Sequence, residues 1–463
     1  MSHRDDLTGS PDPNGARAST GAAASPPPVE PVPVRHIIAW GLWDWGSAAF
    51  NAVVTTFVFT IYLTGPAFGP ERTVEPELGW ALALAGLAIA LFAPISGQRA
   101  DVTGHRKLWL AVNTGLVVTL MLTMFLVQPE PAFLPLGIVL VAVGSVCFEF
   151  ASVNYNAMLT QVSTPATVGK VSGLGWGMGY VGGIVLLVLL YFGLIQPAVG
   201  LFGVTDEHGL DVRVAMLIAG VWFGIFAIPV LVAVPGNAAA TPRRDRRRTG
   251  ILASYAKLGR DIARLWRTQP DTVRFLVASA VYRDGLASAF TFGGILASTV
   301  FGFTPGEVIV FAVVSNIVAG ASTIAVGILD DRLGARLVIL VALAGLIVSG
   351  LTMFLFHGGG KPAFWLTGLA ISLFVGPAQS ASRSFFAPLI PEGHEGELFG
   401  LYATTGRAVS FLAPAAFAIA VTIGGAPYFG IIGIVLVVAI GFGLMLRVGR
   451  TRSRARRTPS TCE

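Results

Sequence analysis

Otherwise apolar runs of the sequence contain six charged residues: Asp44, Glu149, Arg283, Asp284, Arg383 and Arg407. At the centre of a membrane-spanning helix such a group costs about 2.5–3.5 kcal/mol, so it is found where water or a partner meets it. The chemistry open to these side chains is contact with a charged solute, proton transfer by a carboxyl group removed from water, or an ion pair between helices.

The neighbours Arg283 and Asp284 cannot face the same point, because consecutive side chains on a helix point about 100° apart. One of them can bind a solute while the other holds a neighbouring helix, and the sequence leaves open which. For Asp44 the alternatives are contact with a substrate amine, proton transfer, and an ion pair that stabilises one conformation.

The roles of the remaining charged residues and of three amide residues are likewise open. Glu149 and Arg383 are predicted toward the cytoplasmic ends of the fourth and tenth helices, where the alternatives are an inner gate across the two halves, contact with a solute, and local bonds. Arg407 is expected to pair with a loop carboxylate or to bind an anion. The amides that can contact a solute, or equally join two helices, are Asn51, Asn154 and Asn156.

The elements that position these residues follow from composition. Of the 463 residues, 54% are hydrophobic and 12% are charged, whereas soluble domains carry about 25% charged residues. This excludes soluble enzymes, nucleic-acid modules and disulfide scaffolds. Twelve apolar runs of about 20 residues predict an all-α membrane protein with twelve transmembrane helices, six on each side of a polar gap.

The domain organisation follows from these runs and from the distribution of Lys and Arg, which concentrate on the side predicted to be cytoplasmic. We expect a disordered cytoplasmic tail at 1–34, a six-helix bundle at 35–234, a basic cytoplasmic linker at 235–272, a second six-helix bundle at 273–447 and a basic cytoplasmic tail at 448–463. The preference for Arg over Lys is typical of a GC-rich genome, so the predicted location is a bacterial plasma membrane.

Within the linker, apolar residues recur at three- and four-residue steps: Ile251, Tyr255, Leu258, Ile262 and Leu265. This pattern predicts an amphipathic helix on the inner leaflet. The alternative is a solvated linker whose positive charge sets the orientation.

A motif, G-x3-D-x2-G-x-R, occurs once in each half of the chain. The first copy consists of Gly97, Asp101, Gly104 and Arg106, and the second of Gly327, Asp331, Gly334 and Arg336. The glycines permit a tight turn and close backbone approach, the Asp suits a helix N-terminus, and the Arg can reach carboxylates or helix-end carbonyls. Two copies predict two bundles of the same topology, each with a loop that holds helices together at the cytoplasmic side.

A glycine series follows in the fifth predicted helix, at Gly173, Gly175, Gly177, Gly179, Gly182 and Gly183. No strand precedes it, as a dinucleotide site would require, so it predicts close helix packing.

The two loops resemble the signature of the major facilitator superfamily. Residues 40–51, WGLWDWGSAAFN, resemble the start of the autophagy-related vacuolar amino-acid effluxer family, which has a bacterial branch. Further similarity lies in YNA at 155–157, VSGLGWGMGY at 171–180, YRDG at 282–285, SRS at 382–384 and ELFGLY at 397–402.

This resemblance implies a secondary transporter with alternating access and a central cavity lined by helices one, four, seven and ten. Five of the six charges fall on those helices. By family analogy the solutes are amino acids. Proton coupling is a further expectation, because the carboxyl groups of Asp44, Asp284 and Glu149 can titrate when they are removed from water. The alternatives are an exporter of drugs or amphipathic metabolites and a transporter-like receptor without flux.

The expected partners are a small-molecule substrate and the lipid bilayer, with no nucleic acid. We expect a monomer that is not an enzyme and binds no cofactor or metal.

Overall fold

The computed structural model describes residues 31–236 and 251–449, and within these ranges it contains helices and loops but no strand. The first six long helices are α1 Val34–Leu63, α2 Glu71–Thr103, α3 Arg106–Thr123, α4 Leu134–Ala157, α5 Val168–Leu190 and α6 Leu210–Ala233. A linker helix, Ile251–Thr268, follows.

Six long helices follow in the second half, as in the first. They are α7 Pro270–Thr299, α8 Pro305–Leu333, α9 Ala335–Leu355, α10 Gly360–Phe386, α11 in the two parts Glu395–Ala408 and Leu412–Gly424, and α12 Gly430–Met445. In the described ranges, eleven segments are long and apolar enough to cross a membrane. The twelfth long helix, α7, is not among these eleven segments, and its apolar run is interrupted by Arg283 and Asp284. The prediction of a twelve-helix, all-α membrane fold is confirmed.

Some expectations concern residues outside the described ranges. The predicted tail at 1–34 is described only from residue 31, and α1 begins at Val34. The tail at 448–463 is described only to residue 449, and the arginine cluster of the linker precedes the described linker helix.

The outer surface of the bundle carries large apolar side chains. Examples spread over both halves are Leu84, Leu116, Ile228, Val348 and Leu366, which are between 47% and 75% exposed. An exposed apolar surface of this extent suits contact with lipid acyl chains and not with water.

Both copies of the repeated motif lie at one end of the bundle, which we call the motif end. The loop after α6 returns there, because the Lys107 ammonium donates to the carbonyl of Val234 at 2.9 Å. The chain beyond α12 also lies there, because the Arg336 guanidinium donates to the carbonyl of Val448 at 2.8 Å.

Backbones of the two halves touch at the motif end through glycines. Gly97 on α2 lies directly against Gly396 on α11, and Gly173 on α5 lies against Gly327 on α8. A Cβ atom at any of these positions would meet backbone atoms of the partner helix. In the glycine series of α5, Gly173 and Gly177 give close packing against α8 of the other half, and the remaining four glycines give close packing against α1 of the same half.

Two helices are irregular beside the interior of the bundle. In α1, residues Phe50–Phe57 form a π-helix, where the hydroxyls of Thr55 and Thr56 donate to the carbonyl of Asn51 at 2.9 and 2.7 Å. In α11 the helix is interrupted between Ala408 and Leu412. Such interruptions in a membrane helix are tolerated where backbone groups find other partners or line a cavity.

Substitution Gly97→Ala is expected to destabilise the protein by about 1–3 kcal/mol, because the new methyl group must separate α2 from α11. The matched control is Gly115→Ala on α3, where a Cβ meets no atom within 4 Å and the loss of a helical glycine should stabilise by about 0.5–1 kcal/mol. Thermal unfolding of the detergent-solubilised chain measures both. An equal response of the two variants would contradict the close approach.

Candidate functional site

A cavity of about 1160 Å³ lies between the two six-helix halves. Its lining extends away from the motif end to Asn51, Phe57 and Phe290, which are exposed. At the motif end the halves are packed against each other. In this conformation the cavity is therefore accessible from the end opposite the motifs.

Seven of the nine predicted cavity residues line this space: Asp44, Asn51, Glu149, Asn156, Arg283, Arg383 and Arg407. The other two, Asn154 and Asp284, do not belong to the lining. Asn154 is fully buried and donates to the carbonyl of Phe150 on its own helix at 2.8 Å.

Arg383 and Asp44 form an ion pair across the two halves. The Nη1 atom of Arg383 on α10 lies 3.4 Å from Oδ2 of Asp44 on α1. The hydroxyl of Tyr155 donates to the same carboxylate oxygen at 2.9 Å. Glu149 and Arg383, for which a gate was one of three alternatives, do not pair with each other in this conformation, because the carboxylate nearest to Arg383 belongs to Asp44.

The Arg383 guanidinium is almost completely enclosed, with 3% of the residue exposed. It donates to the amide oxygen of Asn156 at 3.0 Å and to the carbonyl of Ser172 at 2.9 Å. It also lies 5.2 Å from the ring centres of both Trp40 and Trp176, which is cation–π distance. A fork-shaped cation with this many partners is held in one orientation.

Stacked aromatic rings hold Tyr155 in place. Its ring centre lies 4.4 Å from that of Trp40 and 4.3 Å from that of Trp43. The indole of Trp40 donates to the Tyr155 carbonyl, and that of Trp43 donates to the hydroxyl of Thr114, both at 3.1 Å. Tyr155 and Ser172 were absent from the sequence-based site, because an aromatic or serine residue in a membrane helix is ordinarily a packing residue.

A second ion pair crosses the halves closer to the open side of the cavity. The guanidinium of Arg407 on α11 lies 3.2 Å from the carboxylate of Glu149 on α4. Their side chains are 44% and 20% exposed, far more than that of Arg383. The expected loop carboxylate as partner of Arg407 is wrong, because α4 brings Glu149 within reach first.

Arg283 and Asp284 point in different directions, as their adjacency requires. The guanidinium of Arg283 lies 3.9 Å from the ring centre of Tyr402 and donates to its carbonyl at 3.3 Å, facing the cavity. The carboxylate of Asp284 accepts from the backbone N–H of Ala413 at 2.7 Å. Asp284 is thus placed at the start of the second part of α11, where a carboxylate stabilises the helix N-terminus, and not in the cavity as predicted.

The first motif copy joins α2 to the start of α11. Asp101 accepts from the backbone N–H groups of Gly396 and Glu397 at 3.0 and 2.8 Å. Arg106 is buried and lies 2.6 Å from Asp101 and 2.9 Å from Glu395. Two carboxylates, one guanidinium and a helix N-terminus of the other half thus form a single network.

In the second motif copy the carboxylate has the same kind of contact, but the arginine has different partners. Asp331 accepts from the backbone N–H groups of Gly169 and Lys170 at the start of α5, at 2.7 and 3.1 Å. Arg336 instead donates to the carbonyls of Val448 and Leu446. The neighbouring Asp330 is hydrogen-bonded to Ser384 on α10.

The motif glycines serve turns and close approach. Gly104 and Gly334 end α2 and α8 with φ of 68° and 86°, which L-residues with a side chain rarely adopt. Gly97 and Gly327 are the points where backbones of the two halves meet.

Two bundles of six helices around a charged central cavity, with paired loops that join the bundles at one end, define a transporter of the major facilitator type. The solved structure of the proton:xylose symporter XylE superposes with a TM-score of 0.72, covering 89% of this chain and 95% of that one, at 11% identity. At this identity the likeness concerns the fold alone.

The chain belongs to the family described as "Vacuole effluxer Atg22 like", whose pattern matches residues 160–458. It is 25% identical to the uncharacterized MFS-type transporter YxiO of Bacillus subtilis (strain 168), over 88% of this chain and 93% of that protein. It is 26% identical to Autophagy-related protein 22 of Cryptococcus neoformans over 62% of this chain. The match spans about half, 52%, of that fungal relative.

Substitution Asp101→Asn is expected to open the motif end more than Asp331→Asn, because only Asp101 also neutralises a buried arginine. Spin labels at the exposed positions Ala166 and Glu392, one on each half, would report the separation by electron–electron distance measurement. A long-distance population should be larger in the first variant. Equal populations in both variants would contradict the asymmetry of the two motif copies.

The variants Asp44→Asn and Arg383→Gln should each lose about 3 kcal/mol of stability, because each leaves a buried charge without its partner. The double variant should lose clearly less than the sum. Unfolding free energies in a double-mutant cycle measure this coupling, with the exposed pair Glu307 and Lys361 as the control cycle, where the coupling should be much smaller. Additive losses at Asp44 and Arg383 would show that they do not interact.

Proposed function

We propose that this transporter moves amino acids across a bacterial plasma membrane by alternating access, with both termini in the cytoplasm. The described conformation then faces outward. The orientation rests on cations of the described residues at the motif end, among them Arg35, Arg99, Lys107, Arg332 and Arg447, together with the rule that such loops remain cytoplasmic.

The observation that carries the substrate class is the separation of charge in the cavity. Among the described residues of the lining, the two carboxylates, Asp44 and Glu149, belong to the first half, and the three guanidinium groups belong to the second half. A zwitterion carries one positive and one negative group, one for each of the two oppositely charged sides of the cavity. Its ammonium would be attracted to the first half and its carboxylate to the second.

The exposed pair Glu149 and Arg407 is the place where such a solute first competes for protein contacts. Each side chain of this pair can exchange its partner for one group of the zwitterion without leaving an unpaired charge. The solute then replaces a contact that joined the halves, which gives it different binding free energies in the two conformations. A difference of this kind is what shifts the equilibrium between them.

Proton coupling would use the same carboxylates. Neutralising Glu149 or Asp44 with a proton removes one side of an ion pair between the halves. We infer that protonation and solute binding both weaken the connections across the cavity.

A second candidate is an exporter of amphipathic metabolites. It is favoured by the aromatic side chains of the cavity wall, which include Trp43, Phe148, Trp176, Tyr180 and Phe290. Large aromatic surfaces bind apolar solutes with little demand on their exact shape.

Reconstituted proteoliposomes distinguish these functions. The full chain should give saturable flux of at least one of the twenty common L-amino acids, changed in rate by an imposed pH gradient. Glu149→Gln should lower this flux roughly tenfold or more because Arg407 loses its carboxylate partner. The matched control, Glu307→Gln, removes a carboxylate that lies outside the cavity lining and should leave flux unchanged.

No flux across the amino-acid panel, with flux of lipophilic dyes instead, would favour the exporter. Binding without any flux would favour a receptor. Amino-acid flux that ignores the pH gradient would keep the substrate class and exclude proton coupling.

A further inference from the structure

Three guanidinium groups and two carboxylates line the cavity, so one positive charge is in excess among the described lining residues. Arg383 is paired with Asp44, and Arg407 is paired with Glu149. Arg283 forms no ion pair with any carboxylate in the part of the chain that the structure describes. It is the source of the excess.

The neighbourhood of Arg283 shows how its position is maintained without an anion. The Tyr402 ring supports one face of the guanidinium at 3.9 Å, and the Tyr402 carbonyl accepts one N–H at 3.3 Å. The Tyr402 ring is itself packed against Phe275, Phe386 and Phe399. The cation is therefore pre-positioned by a rigid aromatic cluster.

No adjacent carboxylate compensates the charge. Asp284, the next residue in sequence, is committed to the backbone N–H of Ala413 on the side away from the cavity. Beside Arg283, α11 presents Gly406, which has no side chain: an ideal Cβ placed there would lie 3.5 Å from Nη1 of Arg283. The open side of the guanidinium therefore faces the cavity.

We propose that Arg283 binds the carboxylate of the transported solute, and that a free carboxylate is required for recognition. This inference rests on the proposed function and assigns its carboxylate-binding residue. An uncompensated cation at membrane depth is costly, and a carboxylate satisfies the planar donor fork of arginine with two parallel hydrogen bonds. The solute supplies the anion that the protein lacks.

The assignment divides the two ends of an amino acid between two helices. After a first contact at Glu149 and Arg407, the carboxylate lies at Arg283 on α7, where it no longer competes with Glu149 for Arg407, and the ammonium lies toward the carboxylates of the first half. A solute whose carboxylate is converted to an amide keeps its ammonium and its side chain but loses the contact with Arg283.

The test compares each of the twenty L-amino acids with its α-amide in exchange across proteoliposomes that contain the full chain. The wild-type protein should exchange the acid and not the amide. Arg283→Gln should raise the half-saturation concentration for the acid roughly 10- to 100-fold, as expected for loss of a charge-assisted pair. Arg283→Lys should retain part of the selectivity, since it keeps the charge without the fork.

Two controls separate recognition from folding. Arg260→Gln removes an exposed cation of the linker helix and should leave both affinity and selectivity unchanged. Thermal unfolding of the Arg283 variants identifies a general loss of structure, which would lower all exchange without changing the ratio of acid to amide.

If amino acids are exchanged and Arg283→Gln keeps the wild-type preference for acid over amide, the inference is wrong and the proposed function stands. If no amino acid is exchanged, equilibrium binding of hexanoate and hexanamide to the same chain is measured by tryptophan fluorescence. Binding of hexanoate alone, lost in Arg283→Gln, would support the inference and refute the amino-acid function. Equal binding of both compounds, or of neither, would overturn the inference.

Discussion

Charge at membrane depth must be met by a partner, and for four of the charged residues that line the cavity the partner comes from the other half of the molecule. Asp44 meets Arg383 and Glu149 meets Arg407, each pair with its carboxylate on the first half and its guanidinium on the second. Because removal of either partner leaves a costly unpaired charge, separating the halves requires that something else satisfy these groups. Ion pairing and conformation are therefore coupled.

At the motif end, too, charged side chains have partners in the other half, and for the two motif aspartates these partners are backbone N–H groups. Asp101 and Asp331 each accept from two N–H groups at the start of a helix in the opposite half. Only the first copy adds a buried arginine, because Arg336 in the second copy is turned to the end of α12. The two motif copies thus share the carboxylate contact, while their arginines have different partners.

The sequence was sufficient for the fold and for the choice of most cavity residues, since apolar runs, the repeated motif and membrane-depth charges are local signals. The sequence was not sufficient to predict which charged residues pair with each other. Asp44 and Arg383 are distant in the chain, and their pairing depends on how the halves pack. The direction of Arg283 against Asp284 depends on the interruption of α11, which offers Asp284 a free N–H at Ala413. Tyr155 and Ser172 lie in segments that carry the family resemblance, but their residue types alone do not mark them as partners of a buried ion pair.

The two cavity ion pairs differ in how easily they exchange partners. The Arg383 guanidinium is enclosed and is held by hydrogen bonds to Asn156 and Ser172 and by neighbouring aromatic rings, whereas the Arg407 guanidinium is open to the cavity. A solute entering from the open side reaches the exposed pair first, at a small cost in desolvation. Asp44 also lines the cavity, with 18% of its side chain exposed, so it is the enclosed Arg383 guanidinium that makes this second pair harder to separate. Under the proposed function, the order of the two pairs along the cavity sets the order of events: solute exchange at Glu149 and Arg407 precedes the separation of the halves at Asp44 and Arg383.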